Sequence, residues 1–234
     1  MFMVRVAHPT FREWETAHPR LWDNGMAIEN PEPTVFLLSP ASLSGVRAAQ
    51  LTSRDAGFET AVRFRSAEGV PIADAFSFLS SLYFRGKIAY ARHFAAPPPT
   101  LGMGMPDDGI LVIAPGFGLV PPSWRLDRER LAKMRTPVDL KNPDYCEPLR
   151  DHAQQLRELL TEPVRVVLLG SVATGKYVDL LAPVFGDRLH FPRLFAGAGD
   201  MQRGGMMLRA VREGEELEYV TLDAPRRRAG RKSD

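Results

Sequence analysis

Three stretches of this 234-residue chain combine residue types and spacings that can do chemistry. Residues 170–176 read Gly-Ser-Val-Ala-Thr-Gly-Lys, a G-x-x-x-x-G-K pattern. That spacing lets backbone N–H groups wrap phosphate oxygens while the lysine reaches them. The next position, where a magnesium-binding Ser or Thr belongs, is Tyr177, and only 57 residues follow it. A phosphate-loop nucleotide hydrolase is therefore a lesser reading. Gly170 and Gly175 can simply shape a strand-to-helix turn. Alternatively, Ser171, Thr174, Lys176 and Tyr177 can receive an anion or a polar base edge beside a helix start.

The second stretch, Ser80-Ser81-Leu82-Tyr83-Phe84-Arg85-Gly86-Lys87, mixes hydroxyls, aromatic rings and cations. Tyr83 or Phe84 can stack a base while Arg85 and Lys87 meet phosphate. The competing reading is a core-packed aromatic helix with a solvated basic face. The third stretch, residues 199–205, sets Asp200 and Arg203 three apart among glycines. Asp200 is the one acid nominated as catalytic, a general base, or it fixes Arg203 for an anionic ligand. A local ion pair in a glycine turn explains it equally well. None of the five histidines pairs at a metal-ligand spacing and Cys146 stands alone, so neither a metal nor a cofactor is expected. No G-x-S-x-G nucleophile elbow occurs.

The elements that must hold these residues follow from periodicity. Continuous apolar runs at 34–38, 110–114 and 164–169 predict buried parallel strands, each ending in a small-residue loop. Alternation at 217–222 predicts a final strand. Helices are expected from about Val46, over 84–94, over 149–160, after Tyr177 and over 206–211. In the helix over 84–94, Arg85, Lys87 and Arg92 are expected off the apolar face. Residues 56–66 fit either period. Residues 115–122 read as a break, 123–145 as irregular or briefly helical, 183–192 as a turn and short extended piece, and 195–205 as a glycine-rich loop. Together these predict one α/β domain over 34–223 with a largely parallel sheet, whose crossovers bring the strand-end loops to one edge. Residues 1–33 read as an N-terminal arm and 95–109 as an apolar, proline-rich flap. Residues 224–234 read as a disordered basic tail.

Composition bounds the rest. The chain is 44% apolar and 25% charged, and no apolar run is long enough for a membrane span. A lone cysteine makes a reducing cytoplasm the default. The last nine residues carry five cations and one carboxylate, so residues 1–225 sum to −2 while the whole chain sums to +2. The body is not a nucleic-acid binder by bulk charge; such affinity needs a local patch.

Three of these pieces, in order, carry a resemblance. Residues 80–91 resemble an "S-P-L-F-x-K-x-x-x-Y-A" helix start. Residues 110–121 resemble an "I-L-S-A-K-Y-G-L-L-x-P" strand and loop, and residues 166–177 a "V-V-L-L-A-G-x-x-Y" strand and loop. All three are similar to segments of the YaaA peroxide-stress proteins and of the uracil-DNA-glycosylase-like domain of archaeosine synthases, in short patches over about residues 34–190. The resemblance implies a three-layer, uracil-DNA-glycosylase-like α/β domain with a polar crevice for a nucleobase or nucleic acid. Carried over, the pocket residues are Ser39 and Ser42, then Ser81 and Arg85, then Gly116 and Gly118, then Ser171 and Tyr177. Where the archaeosine synthases have "P-C-S-x-x-K", this chain has Ser39-Pro40-Ala41-Ser42-Leu43-Ser44-Gly45, so their amidotransfer chemistry does not carry over.

The expectation is a protein that binds a nucleobase-containing small molecule or nucleic acid and can act on it by N-glycosidic or related base chemistry. Tyr83 or Phe117 would stack the base. Ser39, Ser81 and Ser171 would read its edges, and Arg85, Lys87 or Lys176 would meet phosphate. The alternative from another class is a non-catalytic scaffold that works through the flap and tail.

Overall fold

The computed structural model describes residues 32–80, 82–98, 109–160, 163–173 and 175–221. The proposed arm except for its last two residues, most of the flap, the tail, Ser81 and Thr174 lie outside the described residues. In chain order the elements are β1 (Thr34–Leu38), α1 (Val46–Thr52), α2 (Glu59–Arg65), β2 (Val70–Pro71), α3 (Ile72–Ser80) and α4 (Leu82–Phe94). After them come β3 (Ile110–Ala114), β4 (Gly118–Val120), β5 (Arg125–Leu126), α5 (Arg128–Met134), α6 (Pro143–Leu159) and β6 (Arg165–Leu169). The last are α7 (Val178–Phe185), β7 (Leu189–Pro192), α8 (Asp200–Glu213) and β8 (Tyr219–Thr221).

The three continuous apolar runs form β1, β3 and β6, the middle of a six-stranded sheet ordered β4-β3-β1-β6-β7-β8. The four inner strands are parallel, and β4 and β8 are antiparallel edges. Alternate side chains leave opposite faces. Phe36, Leu38, Val112, Val167 and Leu169 pack under α1–α5 and α8. Val35, Leu37, Leu111, Ile113, Val166 and Leu168 pack under α6 and α7. Burial on both faces is why these strands read as unbroken apolar runs rather than alternating ones.

The topology places the site. From β1 the chain crosses the α1–α4 face to reach β3; from neighbouring β6 it crosses the α7 face to reach β7 on the other side. Two adjacent parallel strands thus send their chains to opposite faces and in opposite directions. The divergence opens a crevice beyond their carboxyl ends, where open α/β sheets place ligands.

Several local expectations are corrected. Residues 115–122 are not a plain break: the chain turns back at Gly116 and pairs as β4 against β3. Residues 123–145 hold β5 and α5, with Asp127 capping α5 through Arg130 N, and α6 already begins at Pro143 behind its Asn142 cap. The glycine-rich stretch 195–205 is loop only in part, since α8 starts at Asp200. Lys87 is not on a solvated face; it is 1% exposed.

The β8 edge is tied to the body by a hydroxyl relay. Tyr90 Oη lies 2.7 Å from Tyr219 Oη and accepts from Leu217 N at 2.8 Å. Tyr90→Phe leaves both partners short of a bond and is expected to cost about 1–2 kcal/mol. Urea titration should show this as a lower midpoint with an unchanged slope.

Candidate functional site

A cavity of about 660 Å³ lies at the carboxyl ends of β1, β3 and β6. One wall is the loop after β1, residues 40–44. Pro115 closes the β3 side, residues 134–138 follow from α5, and Lys176 and Tyr177 come from the loop after β6. Its polar lining among the described residues is Arg135 and Lys176, three hydroxyls from Ser42, Ser44 and Thr136, and Tyr177, with no carboxylate.

Beside this crevice sits a buried polar cluster built by a helix crossing. Helices α4 and α8 meet where Gly86 faces Gly204; a Cβ on Gly204 would lie 2.8 Å from Leu82 O, and one on Gly86 would lie 2.9 Å from Gly204 O. This close approach brings Tyr83 and Lys87 of α4 beside Asp200 and Arg203 of α8. Lys87 Nζ reaches the end of β1 and donates to Ser39 O at 2.9 Å and to Ser39 Oγ at 2.7 Å. It also lies 3.9 Å from the Tyr83 ring centroid. Arg203 is buried; its Nε and Nη2 donate to Phe195 O at 3.2 and 3.0 Å, and its Nη1 lies 3.3 Å from Asp200 Oδ1.

Burial sets the proton affinities here. Desolvation pushes the Lys87 amine down to about 7; the Asp200 carboxylate opposes this and the Arg203 guanidinium adds to it. Burial raises the Tyr83 hydroxyl to about 12 against the pull of Arg203. Tyr177 is also raised to about 12, by burial first and then by Tyr83 and Asp200. The influence of Tyr83 and Asp200 on Tyr177 puts this crevice residue near the cluster.

Ser39, Tyr83, Lys87, Tyr177, Asp200 and Arg203 therefore converge, although they span the chain. Ser42, Lys176 and Tyr177 line the crevice. Ser171 is half-buried directly after β6, beside Gly170, whose bare Cα faces Ser39. Other expected residues are elsewhere. Arg85 lines a separate cleft with Arg47 and Arg63. Phe84 is fully buried and Tyr83 nearly so, hence neither presents a face for a base. Phe117 packs on Trp124 with centroids 5.0 Å apart, and Lys133 Nζ sits 4.5 Å from its centroid. Gly116 and Gly118 form the β3–β4 turn; Gly118 is pressed against the Pro148 carbonyl, where a Cβ would come within 2.3 Å. The Asp200 side chain is 69% exposed, paired with Arg203, and does not line the crevice.

The loop before α7 is no open phosphate cradle. Asp179 folds its carboxylate back over it, so that a Cβ on Gly175 would lie 2.6 Å from Asp179 Oδ2, and Asp179 N donates to Gly175 O at 2.9 Å. A carboxylate in the first turn already takes the position favoured at the positive helix end, and it repels phosphate. Arg135, Thr136 and Ser44 are crevice residues that sequence reasoning missed. The Asp127 cap followed by Leu131 and Met134 is the available signal for α5, which delivers the first two. Comparison with family models, with curated proteins and with solved structures finds no match to this chain.

Proposed function

We propose that the crevice binds an anionic ligand carrying a nucleobase, as a nucleotide or as a single nucleic-acid strand. One observation carries this reading: the cavity at the point where β1 and β6 diverge sets two cations, the hydroxyls of two serines and a threonine, and one tyrosine among apolar residues, with no carboxylate among the described residues. Lys176 and Arg135 meet phosphate, Ser42, Ser44 and Thr136 supply donors and acceptors for base edges, and Tyr177 takes over the stacking role from Tyr83 and Phe117. Helices on both sheet faces and a crevice at the strand ends support the three-layer, uracil-DNA-glycosylase-like reading of the fold. N-glycosidic chemistry is left out, because such a step needs a carboxylate at the reacting bond and Asp200 stands apart from the lining.

Isothermal titration with nucleoside monophosphates, a short oligothymidylate and pyrophosphate tests the reading. Nucleotide or oligonucleotide should bind more tightly than pyrophosphate. Combining Lys176→Ala with Arg135→Ala should weaken binding by at least about tenfold, or about 1.4 kcal/mol. Loss of stacking in Tyr177→Ala should cost about 1–3 kcal/mol. Pyrophosphate binding as tightly as any nucleotide would reduce the crevice to a plain anion site, and no binding by any ligand would leave the scaffold alternative.

A further inference from the structure

We infer that Ser39 and Lys87 form a nucleophile–base dyad that moves the acyl group of an anionic carboxylic ester onto Ser39 and then onto water. The inference does not rest on the nucleotide reading. The Ser39 hydroxyl and the Lys87 amine are 2.7 Å apart, both buried, at the carboxyl end of the strand that borders the crevice. The crevice lining begins one residue on, at Pro40.

A purely structural lysine would be expected to bring a counter-ion with it, because an unpaired buried charge is costly. No ion pair to Lys87 occurs among the described residues; the nearby Asp200 is paired with Arg203. Nζ donates to both Ser39 oxygens; burial disfavours the charged form, and once neutral the amine has a lone pair that can take the Ser39 proton while an N–H stays on Ser39 O. One further feature fits the role. Among the described residues the Tyr83 hydroxyl is buried with no partner at hydrogen-bond geometry, and its ring lies against Lys87 Nζ beside Arg203, which leaves it to donate to a developing oxyanion.

The chemistry balances without a redox partner. Ser39 Oγ bonds to the ester carbonyl carbon, its proton passes to Lys87 Nζ, and the carbon–alkoxide bond breaks as Lys87 returns that proton to the leaving oxygen. Water then attacks the acyl-serine, gives a proton through Lys87 to Ser39 Oγ, and frees the carboxylic acid. Arg135 and Lys176 favour esters that carry an anionic group.

An alkyl fluorophosphonate, which reports a nucleophilic serine by displacement of fluoride, provides the test. The whole chain should take up one adduct, located by peptide mass spectrometry on Ser39 and absent in Ser39→Ala. The labelling rate should rise with pH and level off, with its midpoint near 7, the value at which the Lys87 amine loses its proton. Asp200 and Arg203 of α8 and Tyr83 of α4 face that amine; burial holds the Tyr83 hydroxyl up at about 12, above this window. Lys87→Arg puts a permanently protonated guanidinium in place of the amine, removes the base, and should slow labelling by about a hundredfold or more. A folded protein that takes no adduct on Ser39 overturns the proposal, as does an unchanged rate in Lys87→Arg. If that variant does not fold, the native pH profile decides, and a flat rate between pH 6 and 9 overturns the role of Lys87.

Discussion

Gly204→Ala is expected to destabilise the fold, whereas Gly205→Ala, one residue on in the same helix, is expected to stabilise it. In an open helix interior both changes would favour folding by about 0.5–1 kcal/mol, because alanine loses less backbone freedom than glycine. The surroundings separate them. A Cβ on Gly205 meets nothing within 4 Å. On Gly204 it would lie 2.8 Å from Leu82 O and 3.0 Å from Tyr83 Cα, which are backbone atoms and cannot rotate aside. The helices must separate, and overpacking of this kind costs about 1–3 kcal/mol or more. At about 2–4 °C per kcal/mol for a chain of this size, the two variants should have Tm values on opposite sides of the parent. Since α4 carries Tyr83 and Lys87 and α8 carries Asp200 and Arg203, Gly204→Ala should also disturb the polar cluster. A Tm for Gly204→Ala at or above that of Gly205→Ala would show that the crossing is looser than described.

Stability relative to Lys87→Met should climb as pH rises from 7 to 10. The folded protein holds the amine near 7, while in the unfolded chain it titrates near 10.5. Between those values unfolding takes up a proton, so raising the pH favours the folded state by about 1.4 kcal/mol per unit, on the order of 4 kcal/mol across the window. Below 7 both states hold the proton and the slope vanishes. Methionine at this position has no proton to exchange. The difference between the two denaturation curves therefore isolates Lys87 from the tyrosines, whose raised values favour the folded state below 10 and lose that effect as pH climbs from 10 toward 12. Parallel curves from pH 7 to 9.5 would mean that the amine has a solvated or ion-paired setting.

The parallel core was legible because burial on both faces leaves an unmistakable trace: β1, β3 and β6 are unbroken apolar runs. The site was legible only in its residue types. Lys87 read as a solvated cation because amphipathic periodicity assigns a lysine by its own helix, and the atoms that hold it, Ser39 O and Oγ, lie 48 residues away. Glycines misled the reading at 195–205 for a related reason. Gly204 and Gly205 punctuate a sequence like a loop, yet Gly204 is in mid-helix to let Gly86 approach, and that need appears only once the two helices are side by side. Phe117 failed as a stacking platform because Trp124 and Lys133 already cover it, contacts contributed by β5's approach and by α5, in a stretch read as irregular.

The sheet's two borders bear on how this chain behaves in a crowd. A long exposed border strand is a template on which another molecule can extend the sheet. Here the four parallel strands are finished on each side by an antiparallel strand of only three residues, β4 and β8. One is pressed against α6 at Gly118 and the other is fastened through Tyr90. Among the described residues, neither presents a long run of free backbone for a neighbour to register against. Releasing the β8 fastening in Tyr90→Phe would thus loosen the border strand that keeps β7 from offering its edge to a second copy.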